Sequence, residues 1–380
     1  MFSEELKKYD FDRVMASVPE IRDEDVERVL LKSGRKSPED FLVLIAPAAG
    51  KYLGEMALKS REITLRRFGK ALQLFAPLYL SNECKNICTY CGFSMDNKLP
   101  RRTLTPSEIL READAVKALG FDHVLLVSGE ENHRVHTTYF LEAVRLLREK
   151  FSQISLEVQP LEQPEYAELV KEGMFGVLVY QETYNKKVYG HFHPKGKKSN
   201  FDFRVNTPDR IGMAGAKKTG LGVLLGLSDW RTDSYFAALH LQYLEKKYWQ
   251  TRYSISLPRL RPIDTESGRV DSVGGGFISD RELLQLIFAW RIFNEELEIS
   301  ISTRESQMMR DFLIGMGPTS FSAGSKTNPG GYAVEPETLE QFSIDDQRSP
   351  EEFAQRIIEK GFDPVWKDWH PTAEHHLYPV

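Results

Sequence analysis

Between residues 71 and 321 short apolar runs alternate with longer stretches whose apolar residues recur every three or four positions, a pattern that builds a parallel sheet covered by helices. The runs are 71–80, 122–128, 155–160, 176–181, 221–227, 253–258, 297–302 and 319–321. The first, LQLFAPLYLS, is apolar nearly throughout and bounded by polar residues, as in a strand buried on both faces. Between them lie helical stretches at 105–120, 141–150, 164–172, 209–218, 235–248, 280–293 and 307–315. Thr105-Pro106-Ser107-Glu108 combines an N-cap, a proline at the first helical position and an acid three residues on, which together start a helix. Eight strand-then-helix steps at this spacing predict a (β/α)8 barrel over residues 71–325. Residues 1–70 predict a helical extension, with Ser37-Pro38-Glu39-Asp40 opening one of its helices. Residues 326–380 start Pro- and Gly-rich, end near Trp366, Trp369 and His370, and predict a cap folded back on the barrel.

At 380 residues, 41% of them hydrophobic, the chain has the material for such a core. A net charge of −5 gives no positive field to gather nucleic acid or anionic lipid, so a small substrate is expected. The longest apolar run, 41–49, contains Pro47 and is about half the ~20 residues that a membrane span needs. Glu4, Glu5, Lys7, Lys8 and Asp10 leave no apolar segment for secretion near residue 1, and a cytoplasmic location is expected.

The 3 cysteines all fall on one loop after the first strand, Cys84, Cys88 and Cys91, spaced C-x3-C-x2-C. An odd number so close together rules out a disulfide framework and asks for metal or redox chemistry. Two readings fit the spacing. Zinc held by three thiolates and a histidine would be structural; a cubic iron–sulfur cluster would use three thiolates and leave its fourth iron without a protein sulfur. Position favours the second, because the loop opens onto the face where barrels carry their chemistry.

C-x3-C-x2-C with the aromatic Tyr90 before its last cysteine, on the loop after the first strand of a (β/α) barrel, resembles the radical S-adenosylmethionine (SAM) superfamily. The resemblance implies a [4Fe–4S] cluster on Cys84, Cys88 and Cys91 with SAM on its open iron. It also implies SAM contacts from Tyr90, from Gly129-Glu130 to the methionine amino group, from Glu182 to the ribose, from Arg204 to the carboxylate, and from 222–226 beside the adenine. Without the family, Glu130, Glu182 and Arg204 read as loop or rim charges and the glycines as close packing.

YLSNEC, CTYCGFSMDN, LLVSGE, LEVQPL, VYQETY, TPDR, LPRLRP, STRES, FSAGSKTNPGGYA and PVWKDW occur in order along the chain. Together they resemble the aromatic amino acid lyases of that superfamily, nearest the tyrosine-cleaving branch of thiamine biosynthesis. The resemblance implies hydrogen abstraction from the amino group of L-tyrosine, then Cα–Cβ scission to 2-iminoacetate and a p-cresol precursor. It implies Arg304 as the carboxylate clamp, with Tyr79 and Ser325 in the substrate pocket. Their bland readings are a rim pairing of Arg304 with Glu305 or Glu298, and a core tyrosine. A reduced flavodoxin or ferredoxin-type donor and delivery to thiazole synthase follow from the same resemblance. The tryptophan-cleaving relatives and a non-catalytic zinc or iron–sulfur module remain as alternatives. His191-Phe192-His193 with Lys195, Lys197 and Lys198 reads as a solvated basic rim, Gly274-Gly275-Gly276 as a lid or turn, and His375-His376 as surface.

Overall fold

The run LQLFAPLYLS becomes β1(Ala71–Ser81), the longest strand and the seam of the molecule. It is followed by β2(His123–Ser128), β3(Gln153–Glu157), β4(Gly176–Leu178), β5(Lys218–Gly222), β6(Arg252–Ser256), a hairpin β7(Ile263–Thr265) and β8(Gly268–Val270), then β9(Glu298–Ile301), β10(Ser320–Ser322) and β11(Asp363–Val365). The computed structural model describes residues 1–261, 263–265, 268–270, 278–335 and 341–367. Gly274–Gly276, Trp369, His370, His375 and His376 lie outside the described residues.

Strands β1 to β6, β9 and β10 pair in parallel, and β10 returns to β1 through Gln73↔Ser320, Leu74↔Phe321 and Phe75↔Ser322. The result is a closed eight-stranded (β/α)8 barrel. Its seam is short, which explains a proline in an interior strand. Phe75 accepts from Ala323 N at 3.2 Å, the last seam bond; Pro77 lies beyond it, so its missing N–H breaks no ladder, and its carbonyl accepts instead from the Tyr332 hydroxyl at 3.0 Å. The expected helix starts form as capping boxes at Ser37/Asp40 and Thr105/Glu108, and further boxes close at Ser279/Glu282 and Ser349/Glu352.

The fifth strand lies earlier than the apolar run indicates. The ladder occupies Lys218–Gly222 rather than 221–227, and the helix before it is Thr207–Met213 rather than 209–218. Lys218 is admitted to the barrel floor because its ammonium meets Glu298 at 2.5 Å, while Val223, Leu224, Leu225 and Leu227 are buried beyond the ladder. Isolated bridges, Val223 with Glu182 and Leu225 with Arg259, continue the strand there, and burial beyond the ladder gives the same apolar signal.

Helices Phe2–Leu6, Phe11–Ser17, Asp23–Leu31, Pro38–Ile45 and Leu53–Phe68 precede the barrel, and Pro38–Ile45 and Leu53–Phe68 both contact Asp280–Phe293. After β10 the chain crosses the C-terminal mouth, forms the helix Pro350–Glu359, and adds β11 to β1 through Ala71↔Asp363 to Gln73↔Val365. Trp366 then packs edge-on against Phe121 at 5.2 Å. Among the described residues no single helix is long and apolar enough to cross a membrane.

Candidate active site

The cysteine loop leaves β1 and is held from three sides. Arg101 donates to four of its carbonyls, those of Asn82 (2.7 Å), Phe93 (2.9 Å), Ser94 (2.6 Å) and Asn97 (3.1 Å). From β2, Gly129 N donates to Ser81 O at 2.9 Å, and Glu130 O accepts from Lys85 N at 3.0 Å. A Cβ on Gly129 would lie 2.3 Å from Glu83 O, so only glycine allows this approach. On the third side Thr89 N and Ile87 N donate to Phe192 O and Lys195 O, and Asn86 Oδ1 accepts from Lys198 N at 2.9 Å. Gly196 sits there at φ +96°, with space for a Cβ closed by Asn86 Oδ1 at 2.1 Å.

Cys84, Cys88 and Cys91 line one cavity of about 100 Å³ together with Gly129, Glu130, Glu182 and Arg204. Among the described residues no three His, Cys, Asp or Glu groups gather as a site for a metal ion. Burial, then the neighbouring Cys91, pushes the Cys84 thiol up; burial dominates at Cys88 as well.

A charged network forms the wall opposite the thiols. Arg204 Nη1 meets Glu130 Oε1 at 2.7 Å and its Nε donates to Tyr180 O at 2.7 Å. Asn86 Nδ2 donates to the other Glu130 oxygen at 2.8 Å, which ties this wall to the cysteine loop. Glu182 accepts from Lys198 Nζ at 2.8 Å and faces Arg204 Nη2 at 3.6 Å. Burial opposes its charge, but Lys198 and Arg204 win and hold the carboxyl below its usual range. Glu182 also has φ 70°, a left-handed conformation that strains any residue except glycine. The strain is held from behind, where Asp233 on the helix Trp230–Lys247 accepts from Tyr184 N at 2.7 Å and Thr183 Oγ1 at 3.0 Å.

A second cavity, about 170 Å³, adjoins the first and shares Cys91, Val127, Glu157, Tyr180, Glu182, Lys198 and Gln341 with it. Phe75, Pro77 and Leu125 give it an apolar side, and Ser256, Ser300, Ser302, Ser322 and Ser325 a polar one. Arg304, two residues past β9's neighbour Ser302, places its guanidinium 3.5 Å from the centroid of the Phe342 ring. Its two rim partners are engaged elsewhere: Glu305 with Arg259, and Glu298 with Lys218 at the opposite end of the barrel. Among the described residues no carboxylate pairs with Arg304.

The structure therefore brings Arg304, Tyr79, Ser325 and Tyr90 to one cavity, and Cys84, Cys88, Gly129, Glu130 and Arg204 to its neighbour, with Cys91 and Glu182 lining both. Tyr79 is not free: its hydroxyl donates to Gln341 Oε1 at 2.8 Å, and Gln341 Nε2 reaches Cys91 Sγ at 3.6 Å. Ser325 Oγ donates to Ser322 Oγ at 3.2 Å. Gly222 leaves room for the Tyr180 ring, which a Cβ would meet at 2.6 Å, so close packing accounts for it.

Sequence reasoning missed Arg101, Glu157, Tyr180, Lys198 and Gln341. The basic rim holds for His191, Lys195 and Lys197, which are exposed, but not for two of its members: His193 is buried, and Lys198 is an inner wall of the cysteine loop. His193 Nδ1 faces the Tyr189 carbonyl at 2.8 Å, which makes that nitrogen the donor and leaves Nε2 to accept from the Tyr90 hydroxyl at 2.7 Å. The four-residue spacing of Tyr189 and His193 was the available signal.

The donor set fits a cluster with one open iron and a zwitterionic ligand on it: three thiols on one loop, no fourth cysteine in the chain, and a buried carboxylate–guanidinium pair in the same cavity. Comparison with known proteins agrees. Residues 78–237 match the radical SAM superfamily, and residues 256–363 match the biotin and thiamin synthesis associated domain. The chain is 46% identical to the 2-iminoacetate synthase of Escherichia coli (strain K12) over 369 residues, 97% of this chain and 96% of that one. The 2-iminoacetate synthase of Salmonella typhimurium matches equally, at 46% over the same shares. The X-ray structure of the FeFe-hydrogenase maturase HydG from Carboxydothermus hydrogenoformans superimposes with a TM-score of 0.85 at 31% identity, covering 96% of this chain and 85% of that one. Methylornithine synthase (PylB), at 20% identity and a TM-score of 0.66, shares the fold. With the cysteine loop, its anchoring and these relatives in agreement, the chain belongs to the radical SAM superfamily and, within it, to the 2-iminoacetate synthase family, which uses a [4Fe–4S] cluster and SAM.

Proposed function

We propose that this protein cleaves L-tyrosine between Cα and Cβ, giving 2-iminoacetate and p-cresol with 5′-deoxyadenosine and methionine, as a step toward the thiazole of thiamine. The observation that carries the reading is Arg304, a cation with no carboxylate partner among the described residues, in a half-apolar cavity that adjoins the thiols. Its planar fork suits a substrate carboxylate, and Phe75, Pro77 and Leu125 suit an aromatic ring. The cluster and SAM together supply the 5′-deoxyadenosyl radical that removes a hydrogen atom from the substrate amine.

The chain's own groups bind and orient. Cys84, Cys88 and Cys91 hold the cluster; Glu130 and Arg204 meet the amino and carboxylate ends of SAM, and Glu182, kept ionised by Lys198, meets its ribose. Arg304 fixes the tyrosine carboxylate, with Tyr79 and Ser325 in the same cavity wall. The crossing segment that contains Gln341 and Phe342 covers both cavities and keeps water from the reacting groups. A reduced flavodoxin or ferredoxin-type protein is the electron donor, and thiazole synthase the recipient of an imine that hydrolyses in water.

Anaerobic protein with SAM, reductant and tyrosine is expected to form 5′-deoxyadenosine and p-cresol together. Deoxyadenosine without p-cresol removes tyrosine as the substrate, and skatole or another indole product from tryptophan assigns the chain to the tryptophan-cleaving relatives. One zinc and no sulfide would leave the non-catalytic module.

A further inference from the structure

Glu157, at the C-terminal end of β3, is the one acid in the throat between the two cavities with no cation bound to it among the described residues. The other, Glu182, is taken by Lys198 at 2.8 Å and faces Arg204. Glu157 is half-buried, hydrogen-bonded to the side chain of Tyr180, and lines both cavities. Burial pushes its pKa up to about 7, with Tyr180, Glu182, Arg304 and Lys198 as its charged or titratable neighbours. A carboxylate in such a place costs desolvation that a complementary cation would offset. Across the same cavity stands Arg304, a half-buried cation stacked on Phe342 and donating to Arg259 O at 3.5 Å, with no carboxylate partner among the described residues.

Two opposite charges, neither ion-paired among the described residues and both facing one cavity, match an amino acid zwitterion. Arg304 takes the carboxylate. The amino group, one carbon away, must then lie close by and toward the thiols, because the hydrogen atom that leaves it departs in that direction. Glu157 occupies that side. The phenol, at the far end of the substrate, is directed away from the throat toward Phe75, Leu125 and the serines.

Building on the tyrosine lyase reading, we propose that Glu157 receives the ammonium group of the substrate and takes one proton from it. An N–H bond breaks and a carboxyl O–H bond forms, so that ammonium and carboxylate become neutral amine and neutral acid with no other reactant. Hydrogen abstraction then starts from an amine rather than an ammonium, and scission leaves a neutral imine. Tyr180 positions the carboxyl through its hydrogen bond.

The test compares two ligands on anaerobic holoenzyme with SAM: L-tyrosine and 3-(4-hydroxyphenyl)propanoate, which lacks only the amino group. In Glu157→Gln, tyrosine affinity is expected to fall at least tenfold while affinity for the propanoate changes less than twofold; Glu157→Asp should recover part of the loss. Iron and sulfide content and the circular dichroism spectrum establish that each variant is folded and loaded. Equal loss for both ligands, or no loss for either, overturns the assignment and leaves the tyrosine reading standing where wild-type protein still releases p-cresol. A wild type that binds neither ligand overturns the substrate reading and this inference together.

Discussion

Arg304 and Gly129 act at the scale of single atoms, and each makes a separable prediction. Arg304 has no carboxylate partner among the described residues, so replacing it removes a substrate contact together with its stacking on Phe342 and its bond to Arg259 O. Arg304→Ala should lower tyrosine affinity by about 30-fold or more, the equivalent of about 2 kcal/mol or more for truncating one side of a buried charge pair. Iron and sulfide content should stay at the wild-type level; loss of iron would assign Arg304 a structural role. Gly129 is different, because the space for its Cβ is filled by Glu83 O at 2.3 Å, backbone of the cysteine loop itself. Gly129→Ala should destabilise the protein by about 1–3 kcal/mol through overpacking and reduce iron loading, as measured by melting temperature and iron analysis. Sequence alone identified both positions, but it offered Gly129 only as a contact of SAM. The structure adds that the glycine lets β2 approach the loop.

At the scale of elements, the cysteine loop has no regular structure and depends on side chains to hold its backbone. Arg101 is the main one, with hydrogen bonds to Asn82, Phe93, Ser94 and Asn97. Lysine keeps the charge but not the planar fork, and alanine leaves four carbonyls without this donor. Arg101→Ala should cost at least about 2 kcal/mol and speed iron release to a chelator, with Arg101→Lys intermediate. A stopped-flow chelation assay reading the same release rate in wild type and variants would refute this. Arg101 was illegible in the sequence because an arginine among Lys98, Arg101 and Arg102 looks like surface charge. Eight barrel strands were legible because short apolar or alternating runs recur between helical stretches, the first of them, LQLFAPLYLS, continuous because it is buried on both faces. The displaced β5 was not, since Lys218 pairs inside the barrel and Val223 to Leu227 are buried outside the ladder.

Over the whole molecule, burial of titratable groups sets the pH dependence of stability. His123, His193 and His240 are each pushed down to about 3, chiefly by burial. Their unfolded forms take up protons near pH 6.5, so their contribution is present above that pH and is lost as pH falls toward 3. Glu157 and Asp233, raised by burial to about 7, work in the opposite sense: their contribution is present below about pH 4 and is lost as pH rises through 7. The three histidines are displaced further than the two carboxyls, and they prevail. The melting temperature is expected to fall as pH drops from 6.5 to 4.5; a constant or rising value would show these histidines to be protonated in the folded protein. Distant parts of the chain enclose them: Phe2 stacks on His240 at 3.8 Å, and the Tyr90 hydroxyl meets His193 Nε2 at 2.7 Å.

Local chemistry determined what the sequence could announce on its own: strands from runs of apolar residues, helix starts from Ser and Thr caps, and a three-thiol loop from cysteine spacing. These depend on neighbours in the chain, where period and propensity act. Which charges pair and which are left over was decided only by the tertiary structure. Glu130 with Arg204, Glu182 with Lys198, and Glu157 facing Arg304 across a cavity come from different strands and loops, and the energy of a charge depends on what surrounds it in space.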